Sequence, residues 1–163
     1  MSTMTLPAPA WRRFAAIVYD VLAVVAIVMV VGLIAQVATG GHVADSKGHV
    51  VAWWYQPLQA AVVGAYFLLS WLRGGQTLGM RPWKIRVVSR EGGPVGVKQG
   101  LVRLVVAGLP VLLLMLYRVT SLQVALWAPV VGWAVILLPS LVDARHRGLH
   151  DMAARTEIHA YLN

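Results

Sequence analysis

Residues 12–38 read RRFAAIVYDVLAVVAIVMVVGLIAQVA. Two arginines open a run of about 25 residues, Phe14 to Ala38, whose only charge is Asp20. At about 1.5 Å of rise per residue, a helix of that length crosses the roughly 30 Å hydrocarbon core of a bilayer. An ionised aspartate at the middle of such a helix costs roughly 2.5–3.5 kcal/mol on insertion scales. A helix that served only as an anchor would carry valine there. Asp20 therefore implies a partner, and the rest of the chain is read for what faces it.

Composition agrees with a membrane setting. The chain has 163 residues, 59% hydrophobic and 12% charged, with a mean hydropathy of +0.71. A soluble domain carries about twice that share of charge. Several apolar runs of about 20 residues imply a polytopic membrane protein folded as a single domain over residues 1–163. There is no cysteine, which excludes a disulfide framework and a thiolate metal site. The net charge of +8 falls beside the apolar runs, so topology and anionic headgroups account for it and no nucleic-acid partner is expected. The first run is too long for the core of a signal peptide and contains Asp20. Arg12-Arg13 reads as juxtamembrane charge rather than a twin-arginine signal.

In chain order, residues 1–10 carry Pro7 and Pro9 and read as a frayed tail. Four spans are expected, at about 14–38, 52–72, 100–117 and 122–142. Thr39-Gly40-Gly41 breaks the first. A loop with His42, Asp45, Lys47 and His49 follows. Trp53, Trp54, Tyr55 and Trp71 mark the interfacial ends of the second span. Residues 73–99 form the one long polar connection. There Trp83, Ile85 and Val87 alternate with Lys84 and Arg86, a strand pattern, and Ser89 to Pro94 is a turn cluster. Val95 and Val97 are expected to return as the second strand of a small surface β-hairpin. Its apolar face would point inward, and Arg81, Lys84 and Arg86 would meet lipid headgroups. The third span carries Arg103 near its start and is expected to kink at Pro110. A tight turn at 118–121 leads to the fourth span, which contains Pro129 and Pro139 and is expected to bend at them.

The distribution of Lys and Arg sets the orientation. The segments before span one, between spans two and three, and after span four hold Arg12, Arg13, Arg73, Arg81, Lys84, Arg86, Arg90, Lys98, Arg103, Arg145, Arg147 and Arg155. The opposite side holds Lys47 and Arg118. Both termini and the hairpin are therefore expected in the cytoplasm. Arg13 and Asp20 are two helical turns apart on one face. Helical side chains lean toward the N-terminus, so Asp20 leans toward Arg13 while Arg13 leans away. A partner from another helix is favoured, with Arg103 the leading candidate. Asp143 and Asp151 join the same cytoplasmic layer. Such a cluster of Arg13, Asp20, Arg103, Asp143 and Asp151 either pins helix packing or forms an ion or proton site.

Other motifs carry less. His146 and His150 share a helix face if 143–151 is helical, but no third zinc ligand is fixed by spacing, and surface histidines are the plainer reading. Gly75 to Gly79 lacks the Lys-Ser/Thr of a phosphate-binding P-loop and reads as a tight turn. No nucleophile triad or HExxH motif is present. No enzymatic activity, cofactor or metal site is expected.

The chain resembles the RDD family of small bacterial membrane proteins, named for one arginine and two aspartates. The resemblance rests on Arg13 and Asp20, on Gly75-Gln76-Thr77-Leu78-Gly79 with Ile85-Arg86-Val87-Val88, on Arg103, and on the ending Arg147-Gly148-Leu149-His150-Asp151-Met152-Ala153-Ala154-Arg155-Thr156. Asp151 is taken as the second aspartate, with Asp143 the other candidate. Arg155 departs from the pattern, where a small residue such as glycine is more usual. The resemblance implies a multi-pass protein of the bacterial cytoplasmic (inner) membrane, and some relatives are linked to sodium–proton exchange. The expectation is thus an all-α membrane protein, a four-helix transmembrane bundle with a small cytoplasmic β-hairpin. Its leading function is cation–proton exchange (Na+ or H+) at Asp20, tuned by Arg13 and Arg103 and requiring a homodimer. The alternative is a non-transporting scaffold, assembly factor or anionic-lipid-binding module in which the Arg/Asp cluster is structural.

Overall fold

The first apolar run forms an unbroken helix, α1, over Ala10–Ala38. In the computed structural model, which describes residues 5–44, 50–118, 120–143 and 147–161, α1 is preceded by a short strand, β1 (Thr5–Pro7), and followed by α2 (Tyr55–Gly74). Strand β2 (Ile85–Ser89) leads to α3 (Val97–Gly108), which passes into a 3-10 segment, Leu109–Arg118. Helices α4 (Leu122–Leu137) and α5 (Pro139–Val142), the short α6 (Leu149–Ala154) and strand β3 (Thr156–Tyr161) complete the chain. Asp45, Lys47, His49, Arg145 and His146 lie outside the described residues, and with them the paired-histidine reading.

Two of the four expected spans are long and apolar enough to cross a membrane: Ala10–Ala38, with a mean hydropathy of 2.8, and Gln123–Val142, at 2.0. Only 6% of the α1 window is buried, so its Val, Leu, Ile and Met side chains face outward nearly all round. Helix α2 has 20 residues, but Gln56, Gln59, Ser70 and Arg73 dilute its apolar character. The third expected span is interrupted where Pro110 falls: a proline cannot donate to the helical ladder, and the α-helix gives way to 3-10 turns there. Pro129 is accommodated inside α4, and Pro139 opens α5.

The helices pack as antiparallel neighbours. Gln59 donates to the Val28 carbonyl at 3.1 Å, joining α2 to α1. Gly64 and Gly100 let α2 and α3 approach, each meeting leucines of the other helix. Trp133 Nε1 of α4 donates to the Ala107 carbonyl at 3.0 Å.

The expected β-hairpin does not form. Strand β2 pairs with β3 instead, antiparallel from Ile85 opposite Ala160 to Ser89 opposite Thr156. β1 pairs on the other side of β3, giving a three-stranded sheet in the order β1-β3-β2. The turn after β2 closes as expected, with Ser89 N–H donating to the Gly93 carbonyl at 2.9 Å. The return strand is lost because the chain turns helical there: Gln99 Oε1 accepts from the Gly96 N–H at 3.0 Å, capping α3 at Val97. The Trp83–Val87 alternation is also broken at its start, since Lys84 adopts a left-handed φ of 51°. Residues 5–7 are a strand rather than a frayed tail. Pro7 suits that place, because an edge strand tolerates a missing donor. The sheet shares its core with the adjoining helix ends: Ala16 of α1 and Trp71 of α2 are buried with Ile85, Val87, Ile158 and Ala160.

Candidate functional site

The charged residues gather where the helices meet the sheet, but in two separate centres. The first joins α1, α3 and α6. Asp151, 1% exposed, lies in the first turn of α6 and caps it by accepting from the Gly148 N–H at 3.1 Å. Its other oxygen accepts from Arg103 Nη1. Arg13 Nη1 and His150 Nε2 each stand 3.6 Å from the capping oxygen, Oδ2. Arg103 donates as well to Thr156 Oγ1 at 3.0 Å and lies 5.1 Å over the Trp71 ring, a cation–π contact. Arg13 reaches into the sheet: Nε donates to the Ala8 carbonyl at 3.1 Å and Nη2 to the Ile158 carbonyl at 3.0 Å.

This setting fixes charge states. Burial pushes the Asp151 carboxyl up, and the Arg103 guanidinium, with His150 and Arg13, outweighs it and holds the group below the ordinary carboxylate range. Burial, reinforced by Arg103, pushes the His150 imidazole down to about 4, so it is neutral at pH 7. The centre is a carboxylate between two guanidiniums, with its oxygens engaged by protein donors. Among the described residues no three His, Cys, Asp or Glu side chains are grouped to hold a metal ion.

The second centre is Asp20. It is 8% exposed and accepts three hydrogen bonds, from Thr77 Oγ1 at 2.6 Å, Tyr66 Oη at 2.9 Å and the Gly79 N–H at 3.0 Å. Tyr66 Oη in turn accepts from the Leu78 N–H at 3.1 Å. The loop 75–79 is thus docked on α1. Glycine at 79 is a steric requirement, since a Cβ would lie 2.3 Å from the Ala16 carbonyl oxygen and 2.7 Å from Asp20 Cγ. Gly75 ends α2 at a φ of 70° and accepts from the Val87 N–H at 2.7 Å, which ties the same loop to β2.

The sequence-expected layer therefore divides. Arg13, Arg103 and Asp151 meet. Asp20 does not pair with Arg103, which is committed to Asp151; it is held by neutral donors. Asp143 pairs with Arg147, 2.9 Å from Nε to Oδ2. Of the basic residues assigned to headgroups, Arg81 and Lys84 are exposed, while Arg86 is half-buried against the Tyr161 ring at 5.7 Å. Tyr66, Thr77, Thr156 and His150 are partners that sequence reasoning missed. The signal for Thr77 lay in the Gly75–Gly79 loop, a threonine between two glycines that serves a carboxylate instead of a phosphate.

A family model described as the RDD family matches residues 7–155. The chain belongs to the RDD family. No curated protein and no solved structure matches it. In this RDD protein the matched stretch covers the charged residues of both centres and stops at the residue before β3. Family membership and two apolar, outward-facing helices together point to a membrane protein.

Proposed function

We propose that this RDD protein is a multi-pass module of the bacterial cytoplasmic membrane whose Arg/Asp residues lock its helices to a cytoplasmic sheet, and that it engages anionic headgroups with that end instead of transporting an ion. Sheet topology supports the multi-pass reading. β1, β2 and β3 are hydrogen-bonded neighbours drawn from the start, middle and end of the chain. If α1 crosses the bilayer, α2 must cross back to deliver β2; if α4 crosses, α3 with its 3-10 extension must cross before it. The excess of Lys and Arg on the sheet side supports a cytoplasmic location for it.

The observation that carries the non-transporting reading is the environment of Asp20. Both oxygens are engaged by Thr77, Tyr66 and Gly79. A transported proton or cation would have to share these oxygens with three donors that hold the loop closing the first helical pair, two on Oδ1 and one on Oδ2. A site built for exchange would leave an oxygen open to a water path. Exchange also calls for a homodimer, because four helices make a thin wall for alternating access.

The test is a sodium pulse against a pH gradient in sealed proteoliposomes. Wild type and Asp20→Asn are both expected to leave the gradient intact, while Asp20→Asn lowers the unfolding midpoint. Proton movement by wild type that Asp20→Asn abolishes, at unchanged stability, would establish exchange and overturn the proposal.

A further inference from the structure

A cavity of about 310 Å³ opens between the end of α2, strand β2 and the turn after it. Its walls include Trp71, Arg73, Gly74, Arg86, Gly93 and Pro94, and no carboxylate is among its lining residues. Three observations point to an anionic occupant. First, two lining residues carry a buried donor without an acceptor: Arg86 Nε and Trp71 Nε1. Both atoms are shut off from solvent, so an acceptor in the cavity meets them only when the side chains turn toward it, a turn that recovers the roughly 1–3 kcal/mol that a buried unmet donor costs. Second, among the described residues no ion pair involves Arg73 or Arg86. The neighbouring carboxylate, Glu91, is engaged by the Ser89 hydroxyl. Third, a Cβ at Gly74 or Gly93 would meet nothing within 4 Å, and neither has a positive φ. Backbone geometry and packing within the chain leave both positions free to carry a side chain, yet both are glycine and keep the cavity open.

We propose that this cavity binds the phosphate of an anionic phospholipid headgroup, with Arg73 and Arg86 as its charged ligands. Phosphate chemistry fits a pocket that two arginines line. The lipid is favoured as its source because the cavity lies at the basic end of α2, on the side of the apolar helices where Lys and Arg gather and headgroups are concentrated. This rests on the headgroup-binding reading above and gives it a site.

The experiment is native mass spectrometry of the detergent-solubilised full chain, titrated with phosphatidylglycerol, phosphatidylcholine or glycerol phosphate. The variants are Arg73→Gln/Arg86→Gln, Gly93→Leu and Gly74→Leu, with Arg90→Gln/Lys98→Gln as exposed basic controls. Unfolding midpoints confirm that each variant is folded. Wild type is expected to retain phosphatidylglycerol over phosphatidylcholine. Both the arginine pair and the glycine variants, which change no charge, are expected to lower that retention roughly tenfold or more, with little effect from the controls. If the glycine variants bind as wild type and the arginine pair loses no more than the controls, the cavity is not the site, although the basic end still engages lipid. If wild type does not prefer phosphatidylglycerol, the headgroup reading falls with it. If glycerol phosphate displaces the lipid at equal concentration, the ligand is a free phosphate ester and the lipid source is overturned.

Discussion

Replacing Asp151 with asparagine removes one charge and almost no volume, and it leaves two buried guanidiniums facing each other. Arg103 is 2% exposed and Arg13 8%. The Arg13–Asp151 separation of 3.6 Å corresponds to roughly 4–5 kcal/mol of attraction at an effective dielectric of about 20, and the Arg103 contact is closer. Much of that gross attraction offsets the desolvation of the three groups. Removing one partner of a buried ionic cluster therefore costs about 3–5 kcal/mol net. Asparagine keeps an oxygen for the Gly148 N–H, so the α6 cap persists and the loss reports charge. Arg103→Met removes one cation and leaves Asp151 its contact with Arg13. In a double-mutant cycle, Asp151→Asn with Arg103→Met should cost less than the sum of the single variants by about 1–3 kcal/mol. The assay is reversible unfolding in mixed micelles, followed by near-UV circular dichroism. Additive losses, or an Asp151→Asn variant within about 1 kcal/mol of wild type, would refute the reasoning that this carboxylate bridges both arginines.

Three further outcomes follow from the same geometry. Gly79→Ala is expected to destabilise by about 2–4 kcal/mol, because its Cβ collides with α1 beside Asp20; protease nicking between residues 75 and 84 reads the loop's release. His150 is pushed down from 6.5 to about 4 in the folded protein, so the unfolded chain binds the proton first. Stability is then full above about pH 6.5 and falls by about 3 kcal/mol toward pH 4, a slope that unfolding midpoints across this range should reveal and that His150→Leu should flatten. Arg155 sits in the left-handed region with φ 52° and ψ 48°, closing α6; Arg155→Gly should stabilise by about 0.5–1 kcal/mol in the same unfolding assay.

Parts of this architecture are visible in the sequence for simple physical reasons. Span one carries a single charge and the fourth apolar run none, and both are continuous, so hydropathy alone finds them. Pro110 marks the change from α to 3-10 because its missing N–H acts locally. The Arg155 departure also has a local cause, since a helix end in the left-handed region favours glycine. The sheet was hidden because its pairing is non-local: Thr5 meets Tyr161, and neither knows of the other through any short-range pattern. A period-two signal did exist in Thr156–Tyr161, where Thr156, Ile158 and Ala160 are all buried. The charge layer was found as a layer but not resolved, because depth along a helix says nothing about which faces meet. Charge matching favoured Arg103 for Asp20. A carboxylate needs donors, however, and a threonine hydroxyl, a tyrosine hydroxyl and a glycine N–H supply them without any cation.

The two centres divide one structural task. The chain makes two helical excursions from the sheet, one between β1 and β2 and one between β2 and β3. Asp20 closes the first, because its three donors all come from α2 or the loop that follows it. Arg13, Asp151 and Arg103 close the second: Asp151 and Thr156 lie at the returning end, Arg103 at the outgoing helix, and Arg13 links them to the carbonyls of Ala8 and Ile158. Arg13 and Asp20 both project from the start of α1, so one helix anchors both closures. This explains why a helix otherwise suited to lipid carries an arginine and an aspartate two turns apart that do not bond each other. Each answers a different returning segment, and losing either should free one excursion while leaving the other closed.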